Sequence, residues 1–337
     1  MKKKLLVTLG PSSMKPEVIG QLDSHDIYVY RINMSHTAID VLEGQLDLIQ
    51  SSTDVPVCID SEGAQMRSGS SADGVVEYAK GALVRIPFEL CVSDPETLCL
   101  TPVGIARQFN PGDVLKVDFN MAQFKVVEQK ADHCLVEVVH SGAVGNNKAA
   151  DINRPVELDP ITDKDRLAVA LGRRMGIRHF ALSFANTGEG VRQMRELAGP
   201  EATIISKIES REALANLREI AQATDEMLID RGDLSRSVPL DKIPFLQRRV
   251  VSMARIWERP VYVATNLLES MLSRAEPTRA EVNDIVSTIL MGGSGLVLAA
   301  ETAVGDYPVE AAAMTRALMN HCDKWTNNTT LDEILEM

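Results

Sequence analysis

The sequence predicts an α/β fold, a (β/α)8 TIM barrel with a small all-β domain inserted after the third strand. Short β-rich segments alternate with longer helical patterns before residue 61, and the same alternation resumes after residue 162. Three β-rich segments before the interruption and five after it make eight, and eight parallel β–α units close naturally into a barrel. An open doubly wound sheet is the competing architecture. It normally carries a Gly-rich dinucleotide turn after the first strand, whereas Gly10 alone is no such fingerprint.

The eight barrel strands are predicted from runs of β-branched and apolar residues that end in turn or polar residues. In chain order they are expected at residues 5–9, 26–33, 55–60, 179–184, 203–208, 226–230, 260–265 and 295–300. The segments between them carry apolar residues at helical spacing, as in Val41, Leu42, Leu46 and Ile49 after the second strand. This pattern indicates a nearly all-parallel barrel surrounded by helices.

Residues 70–155 have a different sequence pattern, without the alternation of strands and helices. Short β-rich runs such as Val114-Leu115-Lys116-Val117 lie between turn residues such as Pro111-Gly112-Asp113. Closely spaced short strands of this kind are typical of a small β-barrel or sandwich. We therefore expect two domains, a catalytic barrel formed by residues 1–69 and 156–337 and an inserted β-barrel domain at 70–155.

Composition and charge narrow the class of protein. The 337 residues carry 35 Lys and Arg against 47 Asp and Glu, a formal charge of −12, and 45% of them are hydrophobic. This excludes disorder of the whole chain and argues against bulk binding to nucleic acid or to an anionic membrane. No apolar run approaches the ~18 residues of a membrane span. Five scattered cysteines without a C-x-x-C pair predict reduced thiols in a cytoplasmic protein, with no disulfide framework or thiolate zinc site.

Candidate site residues follow the predicted strands, because the active site of such a barrel lies at the carboxyl ends of its strands. Polar or charged residues follow six strands: Arg31, Asn33, Ser35 and His36; Asp60, Ser61, Glu62 and Arg67; Lys207 and Glu209; Asp230, Arg231, Gly232 and Asp233; Thr265 and Asn266; Glu301 and Thr302. Each group alone is consistent with an exposed strand end. Their convergence on one rim indicates a functional site.

Lys207 and Glu209 are the sharpest local feature, because residues two apart on a strand point to the same face. A surface ion pair is one interpretation. The isoleucines before them indicate a buried strand instead, and buried charges without a function are uncommon. Glu209 with Asp233 could then supply two carboxylates to Mg²⁺. Lys207 beside Arg31 and Arg67 would suit a phosphate or carboxylate substrate.

Two further motifs leave alternatives open. Arg231-Gly232-Asp233 is either a plain turn or a place where Gly232 lets main-chain N–H groups approach an anion closely. His36 either starts the following helix or faces solvent. The remaining histidines show no metal-ligand spacing, which argues against a zinc site.

A series of ordered motifs extends along essentially the whole chain. They are TLGPSS at 8–13, RINMSH at 31–36, KIE at 207–209, RGDL at 231–234, AT at 264–265, PTRAE at 277–281, ETA at 301–303 and GDYP at 305–308. Together they resemble the motifs of the pyruvate kinase family. The resemblance implies that the insert is the family's mobile lid domain. It also implies an enzyme that transfers the phosphoryl group of phosphoenolpyruvate to ADP, giving pyruvate and ATP.

The same resemblance implies roles for matching residues. Arg31 and Lys207 would hold the phosphoryl group, Gly232 and Asp233 would line the substrate site, and Thr265 would lie by the methylene carbon that is protonated. Glu209 and Asp233 would bind Mg²⁺ (or Mn²⁺). A K⁺ site would use Asn33, Ser35, Asp60 and the carbonyl of Ser61. The nucleotide would be contacted by His36, Arg67 and Lys148. Such roles agree with phosphoryl transfer, which needs positioning and charge neutralisation more than covalent help.

Departures from the family lie around these residues. Residues 60–67 read DSEGAQMR where the family has DTKGPEIR, so Glu62 reverses a lysine charge and Gln65 replaces the glutamate associated with K⁺ dependence. Three interpretations stay open. The chain is an unregulated pyruvate kinase, a metal-dependent lyase or transferase acting on a pyruvate or 2-oxo acid enolate, or a non-catalytic module that binds phosphoenolpyruvate or pyruvate. The family's C-terminal domain is expected to be absent, and the barrel could form a homodimer through its own surface, as the family's barrels do.

Overall fold

The computed structural model describes residues 2–118 and 121–336. The chain begins with β1 (Lys4–Thr8), α1 (Pro16–Asp23), β2 (Ile27–Asn33), α2 (Ile39–Ser52) and β3 (Val57–Asp60). Short strands then follow: β4 (Met66–Ser68), β5 (Val75–Tyr78), β6 (Leu83–Pro87), β7 (Leu100–Thr101), β8 (Val114–Val117), β9 (Ala122–Gln129), β10 (His133–His140), β11 (Gly142–Gly145) and β12 (Ala149–Ile152).

The alternation of helices and strands resumes at residue 163. The elements are α3 (Asp163–Arg174), β13 (His179–Leu182), α4 (Gly188–Ala198), β14 (Thr203–Ile208), α5 (Arg211–Ala215), α6 (Leu217–Ala223), β15 (Glu226–Asp230), α7 (Arg231–Ser237), α8 (Ile243–Ile256), β16 (Val261–Ala264), α9 (Arg279–Leu290), β17 (Gly295–Leu298), α10 (Ala300–Ala303), α11 (Pro308–Lys324) and α12 (Leu331–Glu336). Capping boxes begin two of these helices, Thr162 with Asp165 before α3 and Thr278 with Glu281 before α9.

Eight parallel strands close into a barrel in the order β1-β17-β16-β15-β14-β13-β3-β2. This confirms the predicted (β/α)8 barrel with an all-β insert after its third strand. The inward faces of the strands pack a small apolar core that includes Leu6, Val29, Ile205 and Leu228. The outward faces pack against the helices in a larger core, because a strand alternates its side chains between the two faces.

The chain divides into two compact units. Residues up to Gly63 and from Pro160 onward form the barrel unit, and Ala64–Asp159 form the inserted unit. Residue 70, where the sequence placed the boundary, falls inside the inserted unit because β4 already pairs with β12 and β7. The inserted unit contains a seven-stranded sheet, a two-stranded sheet and an apolar core of its own.

None of the helices in residues 2–118 and 121–336 is both long and apolar enough to cross a lipid bilayer. The expectation of five reduced thiols is wrong for one pair, since Cys91 and Cys99 form a disulfide. A turn in which the Asp94 and Thr97 main chains pair brings the two cysteines together, and sequence spacing alone does not reveal that turn. Cys58, Cys134 and Cys322 are free.

Candidate functional site

A cluster of charged side chains lies at the carboxyl ends of the barrel strands. β14 carries Lys207 and is followed directly by Glu209, and Asp230 is the last residue of β15. Asp60 ends β3, next to Arg31 of β2. The barrel topology therefore brings together residues that lie up to 199 positions apart in the chain. Active sites of this fold lie at this same end of the barrel.

Lys207 is the centre of this cluster, and its side chain is only 6% exposed. Its Nζ lies 2.8 Å from Oε1 of Glu209, 3.4 Å from Oδ2 of Asp60 and 3.9 Å from Oδ2 of Asp230, and it donates a hydrogen bond to Oγ of Ser183 at 3.0 Å. Burial alone would lower the pKa of Lys207, but the three carboxylates outweigh it and hold the pKa above its ordinary value. Lys207 is therefore a buried, permanently charged ammonium group.

Arg31 supplies a second buried cation beside Lys207. Its Nη1 donates to Oδ2 of Asp60 at 2.9 Å, and its Nε donates to Oγ1 of Thr8 at 2.9 Å. Asp60 has no exposed surface and serves as counter-ion to both Arg31 and Lys207. Two fixed cations next to one another form a site that attracts a phosphate or carboxylate group.

Three carboxylates form a candidate metal centre. Ligand oxygens of Glu209, Asp230 and Asp233 all lie within 4.8 Å of one another. Oε2 of Glu209 accepts a hydrogen bond from the Phe184 N–H, whereas its buried Oε1 contacts Lys207 outside hydrogen-bond geometry and has no hydrogen-bond partner among the described residues. Hard oxygen donors with one oxygen left without a hydrogen bond fit a divalent cation such as Mg²⁺.

The protonation of these acids reflects their surroundings. Burial raises the pKa of Glu209 to about 8, Lys207 opposes this shift, and the charges of Asp233 and Asp230 add to it. Burial also disfavours the charged form of Asp230, but Lys207 and the Thr265 hydroxyl outweigh burial and lower the pKa of Asp230. Oδ1 of Asp233 accepts a hydrogen bond from Arg236 at 2.9 Å. The surroundings thus favour the ionised form of Asp230 and the protonated form of Glu209 near neutral pH, and a bound cation would favour the ionised form of Glu209.

Thr265 is positioned by its backbone and by Arg231. Its φ of 77° lies in the left-handed region that β-branched residues rarely adopt. Its hydroxyl donates to Oδ1 of Asp230 at 2.6 Å, and its carbonyl accepts from Nε and Nη2 of Arg231 at 3.0 and 2.6 Å. A Cβ on Gly232 would lie 2.8 Å from the Thr265 side chain. The close approach of α7 to Thr265 therefore requires glycine at this position, and strain of this kind is common at functional sites.

The residues predicted to hold K⁺ lie at the ends of adjacent strands. Asn33 is the register partner of Asp60, and its side-chain oxygen accepts a hydrogen bond from the Ser35 N–H at 2.9 Å. The Ser61 carbonyl accepts from Oγ of Ser183 at 2.7 Å. The donor set consists of oxygen atoms, which suits a hard monovalent cation, although Asp60 is already paired with two side-chain cations.

The residues predicted to contact nucleotide are divided between the two units. His36 is exposed in the turn after β2 of the barrel unit. Arg67 and Lys148 both lie in the inserted unit, where Nη1 of Arg67 donates to the Asn147 carbonyl at 2.9 Å and Nζ of Lys148 lies 3.6 Å from Asp118. Within that unit β4, which carries Arg67, pairs with β12, which begins directly after Lys148. The two cations are therefore close together.

Asp230 was among the strand-end candidates but was assigned no role, and Ser183 was not a candidate. Ser183 follows β13 directly; its hydroxyl accepts from Lys207 and donates to the Ser61 carbonyl. A serine gives no signal of this role in a sequence. Glu301, which follows the eighth strand, is buried. Its carboxylate accepts hydrogen bonds from the Leu268 and Ala299 N–H groups, so its role here is structural.

Comparison with known proteins identifies the family. A family model described as pyruvate kinase, barrel domain, matches residues 1–312. The chain is 31% identical over 92% of its length to a pyruvate kinase of Methylorubrum extorquens and 31% identical over 96% to one of Agrobacterium vitis. A pyruvate kinase of Thermoplasma acidophilum is 30% identical over 96% of the chain. The chain spans 66%, 68% and 58% of these relatives' own lengths. With its barrel, its insert and its charged strand ends, the chain belongs to the pyruvate kinase family.

Proposed function

We propose that the chain is a pyruvate kinase-like phosphotransferase, which moves the phosphoryl group of phosphoenolpyruvate to ADP and requires Mg²⁺ or Mn²⁺. The observation that supports this best is the buried ammonium of Lys207 among Asp60, Glu209 and Asp230. A cation held in this way, beside an acidic cluster suited to a metal, neutralises charge on a transferring phosphoryl group without covalent chemistry.

Substrate binding would use the two buried cations. Arg31 and Lys207 attract the phosphoryl oxygens, and their fixed ion pairs with Asp60 keep both groups in place before substrate arrives. Such pre-organisation costs no reorganisation during the reaction. Glu209 and Asp233, with Asp230 as a third candidate, would hold the divalent ion, which would neutralise the substrate carboxylate and the enolate oxygen.

Proton delivery would involve Thr265. Its hydroxyl donates a hydrogen bond to ionised Asp230, and this bond orients the hydroxyl before substrate binds. In the proposed reaction the bond between the enol oxygen and phosphorus breaks, a terminal phosphate oxygen of ADP forms the new bond to phosphorus, and the methylene carbon of the enolate takes up a proton from solvent on the side of Thr265. Arg67, Lys148 and His36 would contact the nucleotide, and Asn33, Ser35, Asp60 and Ser61 would hold K⁺.

The first test is pyruvate formation from phosphoenolpyruvate with Mg²⁺, with ADP present or omitted and with K⁺ present or omitted. We expect ADP-dependent turnover that Lys207→Met lowers by at least about a thousandfold, or ~4 kcal/mol in activation free energy. Substitution of exposed Lys80 serves as the matched control and should change nothing. Turnover that persists in Lys207→Met would contradict the proposed role of Lys207. Turnover with and without K⁺ shows whether the enzyme still depends on K⁺ with Gln65 in place of the family's glutamate.

A second candidate is a metal-dependent lyase or transferase that acts on an enolate of pyruvate or another 2-oxo acid. The observation that favours it is that Lys207, Glu209, Asp233 and Thr265 all belong to the barrel unit. Enolate chemistry therefore needs no residue of the inserted unit, unlike nucleotide binding by Lys148. Lys148→Ala separates the two functions, since it should abolish use of ADP in a kinase and leave an enolate lyase active. Mg²⁺-dependent binding of oxalate without turnover of phosphoenolpyruvate would favour the second function.

A further inference from the structure

Ser183 lies between the ammonium group of Lys207 and the oxygens predicted to hold K⁺. It follows β13 directly and is 3% exposed. Its Oγ accepts a hydrogen bond from Nζ of Lys207 at 3.0 Å and donates to the Ser61 carbonyl at 2.7 Å, and Oδ1 of Asp60 is a second acceptor at 3.3 Å. A hydroxyl has a single proton to donate, so these two acceptors compete for it.

On the side of Lys207, Ser183 helps to fix the direction of the ammonium group. An ammonium has three N–H groups. One donates to Ser183 at 3.0 Å and one to Oδ2 of Asp60 at 3.4 Å. The third is left for the side of Glu209 and Asp230, where the proposed function places the metal and the substrate. Because the ammonium is carried on a flexible four-carbon stem, fixed partners are needed to hold its charge in one place.

On its other side, Ser183 contacts two of the predicted K⁺ ligands. Both acceptors of its proton, the Ser61 carbonyl and the Asp60 carboxylate, belong to the oxygen set that would hold the cation. The hydroxyl proton therefore competes with a bound cation for these oxygens. The orientation of the hydroxyl, and with it the lone pair offered to Lys207, then depends on whether the cation is bound. Hydrogen bonds in such a buried chain polarise one another.

The backbone around Ser183 leaves its hydroxyl proton as the part that can change position. The Ser183 N–H donates to Oγ of Ser61 at 2.9 Å, which ties the two strand ends together. Phe184 has a φ of 49°, uncommon for a bulky residue, and its N–H donates to Oε2 of Glu209 at 2.7 Å. A Cβ on Gly63 would lie 2.6 Å from that of Ser183, so this segment also packs closely. Strained backbone of this kind clusters at functional sites.

We propose that Ser183 is a positioning residue that couples the predicted K⁺ site to Lys207. Its hydroxyl holds one N–H of Lys207 and responds to the cation through the Ser61 carbonyl and Asp60. This inference rests on the proposed function, which assigns Lys207 to the phosphoryl group and the two oxygens to K⁺. Such coupling is reciprocal, so K⁺ raises the affinity for phosphoenolpyruvate by the same factor by which phosphoenolpyruvate raises the affinity for K⁺.

The test is the affinity for phosphoenolpyruvate, measured by titration calorimetry with Mg²⁺ in K⁺ and in tetramethylammonium at equal ionic strength. This measurement requires binding only, without ADP or turnover. We expect K⁺ to raise the affinity of the wild type at least about fivefold, and that of Ser183→Ala less than about twofold.

Ser206→Ala is the matched control and should keep the wild-type ratio. Ser206 is also buried and lies next to Lys207 in β14, but its hydroxyl donates to Oγ1 of Thr224 at 2.9 Å. Turnover supplies a second readout. Ser183→Ala should lower kcat about tenfold in K⁺ and make kcat nearly the same, within about twofold, with and without K⁺.

An affinity ratio in Ser183→Ala equal to that of the wild type would overturn the proposal. So would a wild type whose affinity does not respond to K⁺, or an equal loss of the ratio in Ser206→Ala, which would assign the effect to general loosening of β14. Failure of the proposed function is a different result, the absence of ADP-dependent turnover in the wild type. The calorimetric ratio still reports on Ser183 in that case.

Discussion

Nη1 of Arg31 donates a hydrogen bond to Oδ2 of Asp60 over 2.9 Å, and both side chains are almost completely buried. The same carboxylate oxygen lies 3.4 Å from Nζ of Lys207. Asp60 therefore compensates two cations that are almost completely buried. Removal of one partner from a buried ion pair leaves an uncompensated charge, which is much more costly than the loss of an exposed pair.

Asp60→Asn is expected to lower the free energy of unfolding by about 3 to 5 kcal/mol, because Arg31 and Lys207 lose their shared counter-ion. Urea denaturation measures this change. Glu89→Gln, which breaks the exposed pair with Arg107, is the control and should stay within about 0.5 kcal/mol. A loss below about 1 kcal/mol for Asp60→Asn would mean that water or another group already compensates these charges.

Glu209→Gln should remove the charged ligand of the candidate metal centre while keeping its shape. We expect Mn²⁺ affinity to fall roughly 100-fold, which is about 2.7 kcal/mol, since amide oxygens are weaker ligands than carboxylates. Titration calorimetry or electron paramagnetic resonance of Mn²⁺ measures the affinity. Exposed Glu201→Gln is the control. Unchanged affinity in Glu209→Gln would place the ion elsewhere.

Arg231 and Asp284 are expected to act on turnover through Thr265. Nη1 of Arg231 donates to Asp284 at 2.6 Å while its other nitrogens hold the Thr265 carbonyl. Asp284→Asn should lower kcat about tenfold, or ~1.4 kcal/mol, and leave the KM for phosphoenolpyruvate within about twofold. Arg192→Gln, at the exposed pair with Glu189, should have no effect. A rise in KM with unchanged kcat would assign the pair to substrate binding.

Glu62 is predicted to control the use of ADP only together with Lys164. The resemblance predicts that Glu62→Lys improves ADP use, but Lys164 lies 3.4 Å from the Glu62 carboxylate and also donates to the Met34 carbonyl. The single variant would bring two cations together and lower stability by up to about 1 kcal/mol. Glu62→Lys with Lys164→Gln avoids this repulsion and should lower the KM for ADP. If neither variant changes that KM, Glu62 lies away from the nucleotide.

His179 is expected to contribute a loss of stability in mild acid. Burial lowers the pKa of His179, the nearby Glu226 opposes this shift, and Lys4 adds to it. Between this lowered value and 6.5 the unfolded chain binds a proton at His179 that the folded chain does not, so the contribution of His179 to stability is complete above about pH 6.5 and is lost as the pH falls below it.

His179→Phe keeps the edge-to-face contact of the ring with Tyr28 but cannot titrate. We expect a smaller loss of unfolding free energy between about pH 7.5 and pH 5.5 in this variant than in the wild type. His140→Gln, at an exposed residue, should keep the wild-type dependence. His25, whose pKa burial and Arg316 also lower, and Glu209, whose raised pKa acts in the opposite sense, contribute equally to the pH dependence of both proteins. An unchanged dependence in His179→Phe would mean that His179 is protonated in the folded chain.

Much of the fold could be predicted because the signal was local. The eight barrel strands lie within a few residues of their predicted positions, since β-branched runs between helical patterns reflect backbone preference and burial at the same place in the chain. Lys207, Glu209, Arg31 and Asp233 were recognised as candidate residues for a similar reason. Charged residues at the ends of apolar strands can be recognised from the linear sequence alone.

Local sequence patterns are sufficient to predict the (β/α)8 architecture, the position of the insert and the identity of the charged residues at the strand ends. The pairing of those charges depends on the folded chain. The fold made Asp60 the counter-ion of Arg31 and Lys207, added Asp230 and Ser183 to the cluster, and joined Cys91 to Cys99. The physical reason is that ion pairs and hydrogen bonds depend on distances of a few ångströms between residues far apart in the chain, and closure of the barrel sets those distances.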